Sequence, residues 1–311
     1  MARNADRIPF RVRPMLATLV SSPFQQPGWV FEEKYDGFRL LAYKEGARVT
    51  LLSRNDKDRT GDFADIAAAV AGLPATTLLL DGEAVAFDRH GVSRFQLLQQ
   101  GGRKSTYAVF DCLYENGRDL RREALSARRP VLENAIRGAG ALLASRRLPE
   151  DGLLAFEHAQ KHSFEGIVAK DNSSPYIEGR SKKWLKIKVH QEDEFVIGGY
   201  TAPAGSRKYI GALLLGAYED GKLRYVGKVG TGFNTERLAS LHKQFQPLIR
   251  ERPPFADPPR ERDVTYVAPK LIAQIAFQEW TADRKLRQPV FLGLRDDKKP
   301  EEVVMPNSAE R

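Results

Sequence analysis

The sequence predicts an α+β domain followed by a small β-barrel, and three observations carry that prediction. From Trp29 onward, strand-like runs are interrupted irregularly by helical ones, without the regular alternation of βαβ units. Near residue 190 the texture changes, and short strands with one helix fill the remainder. The length of 311 residues suits two domains at roughly 100–200 residues each. The expected division is 1–190 for the first domain and 191–311 for the second.

Residues 1–11 read as a flexible basic tail. Residues 39–44 and 47–53 are extended runs around Glu45-Gly46, the pattern of a hairpin. Further strands are expected over 78–87 and 107–114, the second ending at the turn-forming pair Asn116-Gly117. Helices are expected over 62–71, over 126–137 with Ser126 as N-cap, and over 151–162. In the second domain, 194–201, 209–218 and 222–230 read as strands, broken by Pro203-Ala204-Gly205 and Asp220-Gly221. Asn234 then caps a helix to about Ile249. The prolines 253, 254, 258 and 259 interrupt the chain before a last strand over 271–280. Such a series of short strands fits a barrel of the OB-fold type.

Composition narrows the classes. Hydrophobic residues at 42% and charged residues at 29% match an ordinary folded protein and exclude a disordered or collagen-like chain. A single cysteine, Cys112, excludes a disulfide framework and a cysteine-based zinc site. No run approaches the ~18 apolar residues of a membrane span. The start MARNADRIPF has no apolar signal region, so a cytoplasmic protein is expected, with no membrane partner. A GxxxxGK[ST] loop is absent, which excludes a P-loop NTPase. His158 and His162 have helical i,i+4 spacing but no third ligand nearby, and read as a solvated helix face.

The 49 Lys+Arg against 40 Asp+Glu leave a formal charge of +9, the footprint of a polyanionic partner. Most of the excess lies in residues 1–190, with 30 basic and 23 acidic side chains; residues 191–311 carry 19 and 17.

Five short segments carry the chemistry. In order they are Glu32-Glu33-Lys34-Tyr35-Asp36-Gly37-Phe38-Arg39, Asp81-Gly82-Glu83, Glu165-Gly166-Ile167-Val168-Ala169-Lys170, Trp184-Leu185-Lys186-Ile187-Lys188, and Arg295-Asp296-Asp297-Lys298. Each alone is consistent with a turn or a strand end. The first, by itself, reads as a charged turn with Gly37 at positive φ. In a strand, alternation puts Lys186 and Lys188 on one face. Two adjacent lysines repel, and a phosphate between them would offset that repulsion.

Taken together and in this order, the segments resemble those of the covalent nucleotidyltransferases, which include DNA ligases, RNA ligases and mRNA capping enzymes. More narrowly, the chain resembles the ligase module of the bacterial ATP-dependent DNA ligase D type, from about Pro14 to Pro300. The resemblance implies an α+β nucleotidyltransferase (adenylation) domain with antiparallel sheets and flanking helices, followed by an OB-fold barrel. It also implies the reaction: a lysine amine attacks the α-phosphorus of ATP, the adenylate passes to the 5′-phosphate of a DNA nick, and the 3′-OH displaces AMP. Lys34 matches the nucleophile. Asp36 would orient the nucleophile or a metal. Glu83 and Glu165 match the carboxylates that hold Mg2+ or Mn2+. Glu32 would lie near the adenine edge, and Arg39 and Arg54 near ribose or phosphate. Phe110 would stack on the base with Val168 opposite, or serve simply as core. Lys170, Lys186 and Lys188 would face the ATP phosphates. Arg295 and Lys298 match a motif that closes over the site and orients the departing pyrophosphate, a lid-type motion.

The chemistry supports these residue types. An ordinary lysine is about one part in a thousand neutral near pH 7.4. Nearby cations such as Lys186, Lys188 and Arg39 would favour the reactive amine and also neutralise phosphate charge in the transition state. The partners implied are nicked duplex DNA and a Ku-type end-binding protein, with the enzyme as a monomer. Candidates for DNA-phosphate contacts are Arg103, Lys104, Arg121, Arg122, Arg207, Lys208 and Lys228. An RNA ligase, or a catalytically inactive OB-type nucleic-acid-binding module, are the alternative readings. The intact Lys34, Glu83, Glu165, Lys186 and Lys188 speak against the inactive module.

Overall fold

The computed structural model describes residues 8–99, 104–189, 191–203, 205 and 208–306. The candidates Arg103 and Arg207 lie outside the described residues. The chain divides into two compact units, Met1–Val189 and His190–Arg311.

In the first unit the elements run β1 (Met15–Leu19), β2 (Trp29–Lys34), β3 (Phe38–Glu45), β4 (Arg48–Ser53), α1 (Ala64–Ala71), β5 (Thr77–Val85), α2 (Phe95–Gln99), β6 (Thr106–Glu115), β7 (Arg118–Asp119), α3 (Leu125–Ala135), β8 (Leu142–Ala144), α4 (Gly152–Lys161), β9 (Gly166–Asp171) and β10 (Gly179–Lys188). They build two sheets. One has the order β1-β10-β9-β2; the other runs β4-β3-β5-β6-β7, with β8 added parallel to β6.

Side-chain alternation turns these sheets into layers. Leu40, Ala42, Leu78 and Leu80 point to one side of the second sheet and pack with Ile66 and Val70 of α1 and Leu132 and Ala135 of α3. Leu41, Tyr43 and Leu79 point to the other side and pack against Met15, Tyr176 and Trp184 of the first sheet and its approaches. The far face of the first sheet carries Phe31, Ile167, Ala169 and Ile187, covered by Ala155 and Ala159 of α4. The two sheets therefore face each other between two helical layers. A sheet covered on both faces explains why β5 reads as a nearly continuous apolar run, interrupted only by Asp81-Gly82-Glu83.

The expected hairpin forms, with Gly46 at φ 59° between β3 and β4. Asn116 and Gly117 both take positive φ and join β6 to β7. The expected N-cap Ser126 is not one. Helix α3 starts at Leu125, and its first amides are taken by backbone carbonyls: Leu125 N–H donates to Ser174 and Ser126 N–H to Asn172, each at 3.0 Å. Asp151 does cap α4, accepting from the amides of Leu153 and Leu154.

The second unit contains β11 (Glu192–Thr201), β12 (Leu213–Glu219), β13 (Lys222–Val229), α5 (Thr235–Phe245), β14 (Ile249–Arg250), β15 (Val264–Ala276) and β16 (Val290–Arg295), in a sheet ordered β13-β12-β11-β15-β14 with β16 also on β15. Three boundaries differ from expectation. Strand β12 starts at Leu213, because Tyr209 takes φ 71° and breaks the extended run. Helix α5 is capped by Asn234 as expected but ends at Phe245. Pro247 lacks the amide a longer helix needs, and Ile249 pairs with β15 instead. Strand β15 begins at Val264, seven residues earlier than expected, because Val264, Thr265 and Tyr266 pair with Thr201, Tyr200 and Gly199 of β11 beyond a register shift.

Candidate active site

Strand registers assemble most of the motif residues. Along β2, β9 and β10, three cross-strand rows form: Val30–Lys170–Trp184, Glu32–Val168–Lys186 and Lys34–Gly166–Lys188. Directly opposite residues share a face, so all nine lie on the side turned to the second sheet. Lys34 and Lys188 are thus two strand spacings apart, about 10 Å between backbones, with a glycine between them. Gly166 has no side chain to fill that interval. A Cβ there would overlap the carbonyl oxygen of Ile187, so the close approach of β9 to β10 requires glycine.

Glu165, just ahead of β9, ion-pairs through Oε1 with Lys34 Nζ, and both side chains are only partly exposed. Asp36 anchors the β2–β3 turn: its amide donates to Ser93 Oγ at 3.0 Å, and its Oδ2 accepts from the Phe95 amide at 2.9 Å. Gly37 is not at positive φ, contrary to the turn reading. Glycine is needed because a Cβ would overlap the carbonyl oxygen of Ala84 on β5.

The facing sheet contributes Arg39, Glu83 and Phe110. Arg39 lies opposite Glu83 in the β3–β5 register. Its guanidinium makes a bidentate contact with Asp81 (2.6 and 2.7 Å) and donates to the Met15 carbonyl at 3.1 Å. Tyr176 donates its hydroxyl hydrogen to the same Asp81 at 2.7 Å. Burial opposes the charge on Arg39, but Asp81, with Tyr176 and Glu83, holds its pKa above the ordinary value. Arg39 also lies 4.3 Å from the centroid of Phe110. Glu83 is half-buried, and Arg54 sits half-buried in the turn after β4.

Lys170 occupies a different position from the phosphate-facing one expected. It is 2% exposed, and its ammonium donates to Glu32 Oε2 at 2.6 Å while lying over the rings of Trp184 and Phe110 at 4.3 and 4.9 Å. Burial pushes its pKa down, against the attraction of Glu32 and Asp111. Sequence reasoning missed the rest of this network. Arg129 donates to Glu32 Oε1 at 3.2 Å and to the hydroxyl and carbonyl oxygens of Ser145 at 2.9 and 2.8 Å. Ser145 in turn donates to Glu32 Oε2 at 2.6 Å. The available signal was Arg128-Arg129 inside an expected helix, since an arginine on a covered helix face needs a buried acid.

In the second unit, Arg295 makes a bidentate pair with Asp297, both distances 2.8 Å, and donates to Gln274 at 2.9 Å. Lys298 pairs with Glu194 at 2.5 Å. Among the DNA-contact candidates, Arg121 is held by Asp119 and Glu178 and Lys228 by Glu261, whereas Lys104, Arg122 and Lys208 are exposed.

A lysine backed by a carboxylate and flanked by two strand lysines, on two facing, mainly antiparallel sheets, with an OB-like domain following, defines the covalent nucleotidyltransferase class. The family model described as the ATP dependent DNA ligase domain matches residues 14–188, and that of the ATP dependent DNA ligase C terminal region matches 206–298. The chain belongs to the ATP-dependent DNA ligases. It is 40% identical over 299 residues to the multifunctional non-homologous end joining protein LigD of Mycolicibacterium smegmatis, covering 94% of this chain and 39% of that protein. Against the LigD of Pseudomonas aeruginosa the identity is 39% over 310 residues, covering 96% and 37%. The chain therefore spans about two fifths of the length of these curated relatives. A solved mycobacterial DNA ligase D complexed with ATP and MES is 37% identical with a TM-score of 0.73, covering 96% of this chain and all of that one. The ligase domain of M. tuberculosis LigD gives 39% identity and a TM-score of 0.56, with 96% of this chain and all of that one covered. Among the described residues, no helix is long and apolar enough to cross a membrane.

Proposed function

We propose that this chain seals 5′-phosphate/3′-OH nicks or breaks in duplex DNA, with Lys34 as the nucleophile. The observation that carries the reading is the row Lys34–Gly166–Lys188, with Glu165 on the Lys34 ammonium. Glu165 is positioned to take the proton that Lys34 must lose. The Lys34 amine then attacks the α-phosphorus, the N–P bond forms and pyrophosphate leaves. Lys186 and Lys188, on the same face, stabilise charge on the phosphates as it shifts. An oxygen of the DNA 5′-phosphate next displaces Lys34, and the 3′-OH finally displaces AMP. Asp36 orients the nucleophile by fixing the turn that follows it. Glu32, Phe110 and Val168 serve the base, and Arg39 and Arg54 the ribose and phosphates. Arg295 and Lys298 act on the departing pyrophosphate, exchanging Asp297 and Glu194 for phosphate oxygens.

The donor set fits a hard divalent cation. Magnesium takes one or two carboxylates and completes its shell with phosphates and water. Glu165, at the nucleophile, and Glu83 are the carboxylates that would hold it. Among the described residues no cluster of three His, Cys, Asp or Glu is found, and nucleotide phosphates and water would supply the remaining oxygens. Such an ion supplies charge neutralisation at the phosphates. By likeness to proteins named for non-homologous end joining, the pathway we propose is end-joining repair. A Ku-type end-binding protein is the partner that such a pathway would call for.

Incubation with α-labelled ATP and magnesium, followed by denaturing electrophoresis, tests the reading. Wild type should carry a covalent label and Lys34→Ala none. An unlabelled wild type, or a labelled Lys34→Ala, overturns it. Faster sealing of nicked RNA than of nicked DNA would favour an RNA ligase.

A further inference from the structure

Glu32 lies two residues before the nucleophile, and the environment of its carboxylate is fully specified. It is 2% exposed and surrounded by three donors. Oε2 accepts from Ser145 and from Lys170, both at 2.6 Å, which occupies both of its lone pairs. Oε1 accepts from Arg129 at 3.2 Å and, among the described residues, keeps one acceptor position open. Arg129 cannot drift, because it also donates to Glu133 at 2.6 Å and to both oxygens of Ser145. Lys170 links this carboxylate to the aromatic pair, donating to the Phe110 carbonyl at 3.4 Å while lying over the Phe110 and Trp184 rings. None of the five motif segments contains Arg129 or Ser145.

We infer that Arg129 and Ser145 are positioning residues that set base selection, by fixing the carboxylate of Glu32 so that its open acceptor position meets a donor on the base. The inference rests on the adenylation reading above. A carboxylate held in this way offers only an acceptor. It rewards a 6-amino purine, whose exocyclic N–H donates, and disfavours a 6-oxo purine, whose oxygen would face it. Without Ser145 the carboxylate can rotate about its last torsion and turn Oε1 away, so the preference fades while the transfer chemistry at Lys34 persists. A burial site filled only for packing would show no dependence on the 6-substituent.

The test compares formation of the covalent label from ATP, GTP and purine riboside triphosphate, which lacks the 6-amino group, in wild type, Ser145→Ala, Ser145→Thr and Arg129→Lys. Thermal midpoints verify that each variant is folded. Ser145→Ala should raise the KM for ATP about tenfold, the factor set by one hydrogen bond to a charged group, with kcat little changed. It should also shrink the ATP-over-purine-riboside preference by the same factor. Ser145→Thr, which keeps the hydroxyl, should restore the preference, and Arg129→Lys should lose part of it. A folded Ser145→Ala with the wild-type preference overturns the inference and leaves the ligase reading intact. If Ser145→Ala does not fold, a wild-type preference in folded Arg129→Lys overturns it equally. A wild type unlabelled by every nucleotide overturns the ligase reading itself, and the inference with it.

Discussion

The two units treat charge differently. The first buries Glu32, Glu33, Asp36, Lys44, Asp81, Asp111, Arg128, Arg129 and Lys170 among its sheets and helices. In the second, Asp297 is the buried charged residue among those described, Gln274 is the buried polar one, and the core cluster is hydrophobic. The contrast is not one of net charge alone. Desolvating a charge is expensive, and a fold tolerates it where a partner is fixed in return. In the first unit those partners hold the Glu32 carboxylate, the Arg39 guanidinium and the turn after Lys34. The exception in the second unit is informative, because Asp297 binds Arg295, part of the last motif. Buried charge therefore follows the residues that must be held still.

The strongest way to break this comparison is to cut one buried pair. Arg128 and Asp111 are both fully buried, joined by contacts of 2.8 and 2.7 Å, and Arg128 also donates to the carbonyls of Glu123 and Ser174. Burial raises the Asp111 pKa even against Arg128, which shows how much it depends on that partner. Arg128→Met should cost about 3–5 kcal/mol in chemical denaturation, because Asp111 remains buried without its cation. Adding Asp111→Leu should recover most of that loss. A single-variant cost below about 1 kcal/mol would remove the basis for treating the first unit as organised around fixed charge.

How much of this was legible beforehand follows from range. Alternation in β5, the Glu45-Gly46 and Asn116-Gly117 turns and the Asn234 cap are local, and each reads directly from neighbouring residues. The motif lysines were legible because their strand places Lys186 and Lys188 on one face whatever surrounds it. The Glu32–Arg129–Ser145 network was not, because its members are 97 and 113 residues apart and meet only through folding. The short β14 and the early start of β15 escaped for the same reason: their length is set by the partner strand. Lys170 was misassigned because a lysine in a motif looks like a phosphate ligand until its burial is known.

Glu33 sharpens the comparison, as a buried charge whose partner is weak. Among the described residues its buried oxygens make no well-aligned hydrogen bond, and Arg146 Nη1 lies 3.2 Å away with its side chain half exposed. Burial raises the Glu33 pKa from 4.5 to about 7, with Arg146 and Tyr35 opposing the shift. The folded state thus holds this proton more tightly than the unfolded chain does. Stability from this group is unaffected below pH 4.5, falls as pH rises towards 7, and is lower by about 3 kcal/mol above that. Glu33→Gln removes the titration while keeping the shape. Its melting temperature should match wild type near pH 4.5 and exceed it near pH 8. An equal difference at both pH values would mean that Glu33 does not titrate in this range.

The smallest expected effect lies on the surface of the second unit. Lys228 on β13 pairs with Glu261 at 2.9 Å, with side chains 48% and 29% exposed. Water and salt screen such a pair, so Lys228→Ala should change stability by at most about 1 kcal/mol. Formation of the Lys34 adduct should be unaltered, since Lys228 and Glu261 both belong to the second unit and neither lies in a motif segment. If Lys228 neutralises a DNA phosphate, its loss should also reduce the slope of log K against log salt by about one. Nick binding measured across a salt series separates the two roles. A lowered slope with unchanged stability means that the second unit keeps its cations outside because a mobile partner must reach them. An unchanged slope leaves Lys228 as a solvated counter-charge to Glu261, and the same salt series then applies to the other candidates, the exposed Lys104, Arg122 and Lys208 among them.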